Sequence, residues 1–254
     1  MSKITLVNEE CLKALKDMEA NSVDLVLVDL PYGTTACKWD SLIDLDLLWE
    51  EYYRVGKEDC AFVMFAAQPF TTTLAASNLK DLKYSMVYQK TYATGFQMAR
   101  KRPMKDHEDI LVFYRKQPTY NPQMVSSDIP CPGAHVGGAE IYGDQGGDYK
   151  KAVSARSGAM DRYPRTVLGP YSQSKRDLPK GFGYKCHPTQ KQLALLEWLV
   201  KTYSNEGDLV LDNTMGSGST GVACKLNNRD FVGIEQDTAY FQMANDWLNT
   251  LSHP

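Results

Sequence analysis

The apolar run Val23–Val28 consists of valine and leucine with a single Asp, which is the composition of a β-strand covered on both faces. Further strand-like runs follow it, and amphipathic segments with helical spacing separate them along most of the chain. Strands that alternate with helices predict an α/β fold with a doubly wound, mostly parallel, Rossmann-like sheet. A chain of 254 residues, 43% of them hydrophobic, can bury the core of one such domain.

This periodicity is interrupted by one irregular region. Residues 117–186 follow neither a helical nor a strand period and are rich in Gly, Pro, Ser, Tyr and charged residues. Because so long an unstructured loop is uncommon in a compact domain, we predict an inserted lobe at 117–186 between the segments 1–116 and 187–254. The predicted strands are 3–8, 23–28, 61–66, 84–89, 110–114, 208–212 and 231–235, and the predicted helices are 11–19, 44–55, 70–78, 190–203, 220–226 and 238–251.

Several classes of protein are disfavoured by composition. No apolar run reaches the roughly 20 residues that a membrane span needs, and the N-terminus has no signal-peptide pattern. The six cysteines form no CxxC pair. We therefore expect reduced thiols in a cytoplasmic protein, with neither disulfides nor a bound metal.

The net charge of −3 conceals an uneven distribution. Residues 90–185 contain 16 Lys and Arg but only 9 Asp and Glu, so this region carries +7 and the remainder carries −10. Such asymmetry is expected if one face meets phosphate while the rest keeps the protein soluble. An unevenly charged, solvated surface explains the same counts equally well.

A glycine-rich segment, Asp212–Gly221, follows an apolar run near the C-terminus. Gly216 and Gly218 would let the backbone at a strand-to-helix turn approach a nucleoside ligand closely. Glu235 closes the next strand, about 20 residues further on, where a carboxylate can accept hydrogen bonds from two ribose hydroxyls. The spacing also matches the Gly-x-Gly-x-x-Gly pattern of dinucleotide sites, so an NAD enzyme is an alternative at this point.

A second motif, Asp29-Leu30-Pro31-Tyr32, closes the strand Val23–Val28. The carboxylate can accept a hydrogen bond, the proline fixes the backbone, and the aromatic ring offers a stacking surface. Such a set suits a flat base that carries an amino group. An ordinary strand-ending turn would have similar residues.

Together, in this order, the two motifs resemble those of the amino-group DNA methyltransferases that use S-adenosylmethionine, in the circularly permuted (beta) class. The resemblance covers roughly 1–115 and 185–252, and Leu30 stands where the commonest form of the motif has Pro. It implies methyl transfer to N6 of adenine in a short double-stranded DNA site, because a leading Asp favours adenine within the family. The alternatives are transfer to N4 of cytosine, methylation of RNA or protein, and a non-catalytic nucleic-acid-binding relative.

The resemblance also implies roles for individual residues. Asp29 and a backbone carbonyl of Leu30 or Pro31 would accept the two amine protons, and Tyr32 would stack on the flipped base. Thr189 would cap the following helix, and Lys191 would pair with the carboxylate of the cofactor. The implied cofactor-binding residues are Asp212, Thr214, Gly216, Gly218, Glu235, His187, Thr189 and Lys191.

The implied DNA-binding residues belong to the basic region. Arg100, Lys101, Arg102 and Lys105 are expected to contact phosphates, and the insertion 117–186 is expected to recognise the target sequence. His107 is expected to be structural and not a general base. Many relatives pair as dimers, so a homodimer is an expectation by analogy.

Overall fold

The computed structural model describes residues 2–33, 41–130, 158–171 and 190–251. Two compact units are distinguished: one combines residues 1–121 with 166–254, and the other is Pro122–Arg165. The strands are β1 (Ile4–Val7), β2 (Val23–Asp29), β3 (Gly56–Ala66), β4 (Leu82–Thr94), β5 (Lys105–Phe113), β6 (Val125–Ser126), β7 (Asp161–Arg162), β8 (Val167–Tyr171), β9 (Leu209–Asp212) and β10 (Asp230–Ile234). The helices are α1 (Cys11–Lys16), α2 (Leu45–Val55), α3 (Phe70–Ser77), α4 (Leu193–Tyr203), α5 (Ser219–Leu226) and α6 (Thr238–Thr250).

The first unit is built on a sheet whose described strands lie in the order β1-β10-β9-β2-β3-β5-β4-β8. Among these strands only β5 runs against its neighbours, so the sheet is mostly parallel. The first strand in the sequence lies beside β10, and the strand before the glycine-rich turn lies in the middle of the sheet. The predicted doubly wound, permuted α/β fold is confirmed.

Helices cover both faces of this sheet. Leu25 and Leu27 of β2 point into a core formed with α4, α5 and α6, whereas Val26 and Val28 point into a core formed with α1, α2 and α3. All four side chains are at most 1% exposed. Burial on both sides explains why the sequence of β2 is almost continuously apolar.

Acidic residues begin three of the helices. Glu10 caps α1, Asp44 caps α2 and Asp237 caps α6, and each side chain accepts hydrogen bonds from two backbone N–H groups of the first turn. These bonds satisfy donors that have no partner within the helix. The caps fix where α1 and α6 begin beside the ends of β1 and β10.

Several predicted boundaries differ from the structure. The strands β3, β4 and β5 are longer than predicted because polar residues at their ends still pair in the ladder, as Thr94 does with Lys105. Strand β8, within the predicted insertion 117–186, pairs in parallel with β4. The helix predicted from residue 190 begins at Leu193 with Gln192 as its N-cap, so the expectation that Thr189 caps it is wrong.

The second unit contains a short two-stranded sheet. Val125 and Ser126 of β6 pair antiparallel with Arg162 and Asp161 of β7. The Arg162 guanidinium donates to the backbone carbonyl of Ala159 at 3.2 Å and also to that of Ile129. The bond to Ile129 links β7 to the segment that follows β6.

Two further observations concern the described residues only. Cys11, Cys60 and Cys224 are free thiols and buried. Within the described ranges there is no cluster of three or more His, Cys, Asp or Glu that could hold a metal ion, and no helix long and apolar enough to cross a membrane.

Candidate active site

A cavity of about 330 Å³ lies where the two sequence motifs meet. Strands β2 and β9 are parallel neighbours, with Val26 opposite Leu211, so both motifs leave the sheet at its carboxyl edge. In doubly wound sheets this edge is the usual ligand site. The cavity is lined by both motifs and by neighbouring segments, including Asp29, Leu30, Pro31, Tyr32, Lys191, Asp212, Thr214, Gly216 and Glu235.

The two motifs are bonded to each other directly. The Thr214 hydroxyl donates to the backbone carbonyl of Asp29 at 3.0 Å. A second link comes from the segment before α4, where the Ser217 hydroxyl donates to the Gln190 side-chain oxygen at 3.0 Å. The motif Asp29–Tyr32, which we call the grip motif, and the glycine-rich turn therefore form one connected wall of the cavity.

Glu235 lies beside the glycine-rich turn because β10 is the neighbour of β9. One carboxylate oxygen accepts from the Gly216 N–H at 3.0 Å and the other from the Asp237 N–H at 2.8 Å. Burial raises the pKa of Glu235 despite these two bonds. The side chain is thereby held in a fixed orientation at the cavity wall, as a group that takes two hydroxyls requires.

The two glycines of the turn differ in role. Gly216 has φ 51° and lines the cavity. Gly218 has φ 81°, and a Cβ there would lie 2.8 Å from the Cβ of Ala244 on α6. Gly218 is not among the lining residues, so its close approach is to a neighbouring helix. Of these two glycines, only Gly216 lies where its backbone could contact a ligand in the cavity.

Asp212 ends β9 with its side chain only 3% exposed. One carboxyl oxygen accepts from the Thr214 N–H at 3.2 Å. Burial is the largest influence on this group and raises its pKa from 3.8 to about 7. At neutral pH the carboxyl therefore exchanges between protonated and ionised forms.

We expect Asp212→Asn to stabilise the ligand-free protein increasingly as pH rises. Since the folded state binds the proton more tightly than the unfolded chain, wild-type stability falls from near pH 3.8 until the pH passes about 7. The amide cannot ionise and keeps an acceptor for Thr214. Thermal melts at about pH 5 and about pH 8.5 should show the larger Asn advantage at the higher pH. Asp59→Asn, at an exposed position of β3, is the control, and an advantage that does not grow would contradict the assignment.

Tyr32 is organised by two contacts. Its hydroxyl donates to Asp29 Oδ1 at 2.6 Å, and its ring stacks on Phe70 with centroids 5.3 Å apart and an interplanar angle of 23°. Burial and the nearby Asp29 carboxylate raise the pKa of Tyr32, so the phenol stays protonated. The ring is thus held beside the Asp29 carboxylate by its own contacts.

Lys191 lies at the centre of a buried charge cluster. Its side chain is 7% exposed, and its ammonium forms ion pairs with Asp29 and, at 3.2 Å, with Glu108. The ammonium also lies 5.0 Å from the centroid of the Phe65 ring. Burial opposes the charge, but the two carboxylates outweigh it and raise the pKa of Lys191. The sequence predicted a partner on the cofactor, whereas the structure pairs Lys191 with the grip motif.

Glu108 and Asn213 also line the cavity, although neither was singled out from the sequence as a site residue. Glu108, on β5, pairs with Lys191 and also with Lys90, and these cations lower its pKa although burial opposes ionisation. Asn213 accepts from the Tyr52 hydroxyl at 2.6 Å and so connects α2 to the glycine-rich turn. Glu108 had a sequence signal: it continues the alternation of Ile110 and Val112, whose side chains face the core.

The remaining predicted residues lie elsewhere. Arg100, Lys101 and Arg102 are exposed in the connection between β4 and β5, and Lys105 is the first, partly buried residue of β5. His107 is exposed, with its ring nitrogen 3.2 Å from Asp106 Oδ1, and does not line the cavity. His187 and Thr189 lie outside the described residues.

Comparison with known proteins agrees with this geometry. The chain is 29% identical to the DNA adenine methyltransferase YhdJ of Escherichia coli (strain K12) over 98% of this chain and 84% of that protein. It is 27% identical to the Type II methyltransferase M.HpaI of Haemophilus parainfluenzae over 96% of this chain and 74% of that protein. Both matches extend over almost the whole of this chain.

Solved structures show the same fold. The M1.HpyAVI–SAM complex has a TM-score of 0.63 at 24% identity, covering 97% of this chain and 99% of that one. The PvuII DNA methyltransferase (cytosine-N4-specific) has a TM-score of 0.69 at 15% identity, covering 100% of this chain and 89% of that one. The family model for N6/N4 DNA methylases matches residues 23–246. The chain therefore belongs to the N6/N4 DNA methylase family.

Proposed function

We propose that this protein transfers a methyl group from S-adenosylmethionine to N6 of adenine in a short double-stranded DNA site. The observation that carries the proposal is the placement of Asp29 and Tyr32 in one cavity with Glu235 and the Gly216 turn. A hydride-transfer enzyme has no need of such a grip beside its cofactor site, so the dinucleotide alternative loses its support. Membership of the family supports DNA methylation as the general activity. The identity of the methylated base is the additional part of the proposal.

The residues present fit the cofactor. Glu235 offers a carboxylate already oriented by two backbone N–H groups, and Gly216 offers backbone without a side chain. Leu196 and Tyr240 add apolar surface for a flat ring. S-adenosylmethionine supplies a methyl group on a positively charged sulfur, which is reactive without further activation. Positioning is then the main task of the protein.

The target amine is a weak nucleophile because its lone pair is delocalised into the base. Asp29 accepts a hydrogen bond from one amine proton and a backbone carbonyl of Leu30 or Pro31 accepts the other, which draws the nitrogen toward tetrahedral geometry. The ring of Tyr32 carries the base after it leaves the duplex. In the described structure Asp29 holds Tyr32 and Lys191, so its orientation is set in advance.

Adenine is favoured over cytosine by two observations. The grip motif begins with Asp, and the relative YhdJ, at 29% identity, is named as an adenine methyltransferase. The likeness to the cytosine-specific PvuII enzyme is one of fold, at 15% identity. Transfer to N4 of cytosine uses the same two hydrogen bonds and is the second candidate.

Nucleoside mass spectrometry of host DNA after expression tests the base directly. We expect N6-methyladenine, with methylation-aware sequencing giving one short recurrent site. The matched control is expression of Asp29→Ala. N4-methylcytosine would replace the base assignment and keep the mechanism, whereas methylated RNA or protein without methylated DNA would overturn the proposal.

We expect Glu235→Ala to weaken S-adenosylmethionine binding by at least about tenfold, the loss of one or two hydrogen bonds to a charged group. Titration calorimetry measures the affinity, and an unchanged melting temperature would show that the fold is kept. Glu50→Ala, which removes an exposed carboxylate from α2, is the control. Tight NAD binding without S-adenosylmethionine binding would contradict the assignment.

A further inference from the structure

The hairpin of β4 and β5 extends past the end of β3, and in the described residues β8 accompanies β4 only as far as Lys90. Strand β3 ends at Ala66, which lies opposite Asp109, and Asp109 lies opposite Val87 of β4. The hairpin continues to the pair Thr94 and Lys105. Four further residues of β5 span roughly 14 Å at the usual rise of a strand.

This extension lies at the edge of the sheet that holds the cavity. Strand β5 is antiparallel to both β3 and β4, so β4 runs in the same direction as β2 and β3. The carboxyl end of β4 therefore points the same way as the end of β2, where Asp29 and Tyr32 stand. The connection 95–104 is carried out beyond this edge.

The hairpin tip, residues 91–104, exposes large apolar side chains. Tyr92 is 83% exposed and Phe96 is 78% exposed, with Met98 and Met104 at 39% and 38%. Several exposed apolar side chains on one segment of a soluble protein indicate an interaction surface. The tip is held by its own bonds: the Met98 N–H donates to Gly95 O at 2.9 Å, and the Arg102 N–H donates to Met98 O at 3.0 Å.

Charge identifies the partner of this surface. Residues 91–105 contain Arg100, Lys101, Arg102 and Lys105 and no Asp or Glu. Two copies of the tip would repel each other, whereas a phosphate backbone is complementary to the four cations. Apolar side chains among cations are the combination that proteins use to unstack a base step while holding the strands.

We propose that Phe96 and Met98 form a wedge that enters the duplex beside the target base, while Arg100, Lys101 and Arg102 hold the flanking phosphates. The inference rests on the proposed function, since only an enzyme that flips a base needs it. Extruding a base breaks its pairing and its stacking on the neighbouring bases. Apolar side chains in the gap replace part of the lost stacking and delay the return of the base.

The test compares wild type with a Phe96→Ala, Met98→Ala double variant on three oligonucleotides: the paired target site, the same site with the target base mismatched, and the single strand. We expect kcat/KM on the paired duplex to fall by at least about tenfold, and on the mismatched and single-stranded forms by less than about twofold, because those bases are already unpaired. When 2-aminopurine replaces the target base, its fluorescence should increase on binding of the wild-type protein. With the double variant, this increase should be lost in the paired duplex only.

Two control variants separate the wedge from other roles. Leu79→Ala removes a side chain that is 68% exposed before β4, at the opposite edge of the sheet, and should change none of these values. Replacing Arg100, Lys101 and Arg102 together by Ala should weaken binding to the paired and mismatched duplexes equally.

Equal losses on all three oligonucleotides, or no loss on the paired duplex, would overturn the wedge. A dimeric wild type that becomes monomeric in the double variant, by analytical ultracentrifugation, would assign the tip to self-association instead. If the wild-type protein flips the base without methylating it, the proposed function alone is refuted. The 2-aminopurine fluorescence of wild type and double variant then still tests the wedge. Wild type that does not bind duplex DNA would refute both.

Discussion

Replacing Asp29 by Ala should lower turnover on DNA by about 10²–10³-fold, the effect of removing one group that stabilises a transition state. The carboxylate interacts with the target amine most strongly when the nitrogen gains tetrahedral character, so kcat should carry the loss. Single-turnover methylation with saturating cofactor and DNA measures it. Binding of both should stay near wild type, because Glu108 still holds Lys191 in place.

Three companion variants define the role of the motif. Asp29→Asn keeps an acceptor oxygen but not the charge, and we expect an intermediate loss. Tyr32→Phe keeps the stack on Phe70 and loses only the 2.6 Å bond to Asp29, so it should retain far more activity than Tyr32→Ala. Asp59→Ala, at an exposed position, should be fully active. An active Asp29→Ala enzyme would overturn the mechanism.

Replacing Lys191 by Met should abolish most activity and destabilise the fold by about 3 kcal/mol, the lower end of the range for breaking a buried ion pair. We take the lower end because the Asp29 side chain is 27% exposed, so water can still solvate its charge when the ammonium is removed. The Glu108 side chain is 12% exposed and is less well solvated. Denaturant unfolding measures the stability. The pair of Lys57 and Asp24, in which the lysine side chain is 40% exposed, is the control, and Lys57→Met should cost less than about 1 kcal/mol.

The cost of Lys191→Met should depend on pH. The pKa of Glu108 is lowered in the fold, so its pairing stabilises the protein above 4.5, the ordinary value, and that contribution is lost as pH falls. The difference from wild type should therefore be larger at about pH 7 than at about pH 4. Adding Glu108→Gln to Lys191→Met should restore part of the stability at pH 7. A Lys191→Met protein as stable as wild type would show that the cluster has no such role.

The sequence was sufficient for the features that are local along the chain. The apolar run Val23–Val28 predicts a strand that ends at Asp29, and a second apolar run predicts a strand that ends before the Gly216 turn. The fold class and the two motifs of the candidate site could therefore be predicted. The contact between Lys191 and Asp29 was not, because these residues are 162 positions apart and meet only through the order of the strands. That order depends on packing between distant helices.

Other differences have equally specific causes. Strand β8 was missed because Val-Leu-Gly-Pro-Tyr has neither an alternating pattern nor an uninterrupted apolar run. It is a strand because its backbone pairs with β4. The hairpin tip was predicted only as a set of phosphate contacts. The exposure of Phe96 and Tyr92 could not be read from the sequence, since the same residues occur in cores.

The strand order has a consequence for synthesis on the ribosome. Strand β1 pairs with β10, more than 220 residues later, and β2 completes its pairing only with β9. Until the last part of the chain has emerged, the highly apolar strand β2 has one open edge, and open edges invite association with other chains. We expect β2–β5 to assemble first and the C-terminal segment to close the sheet. The same late step that covers this edge of β2 also brings the glycine-rich turn beside Asp29, so the cavity forms only when the sheet is closed.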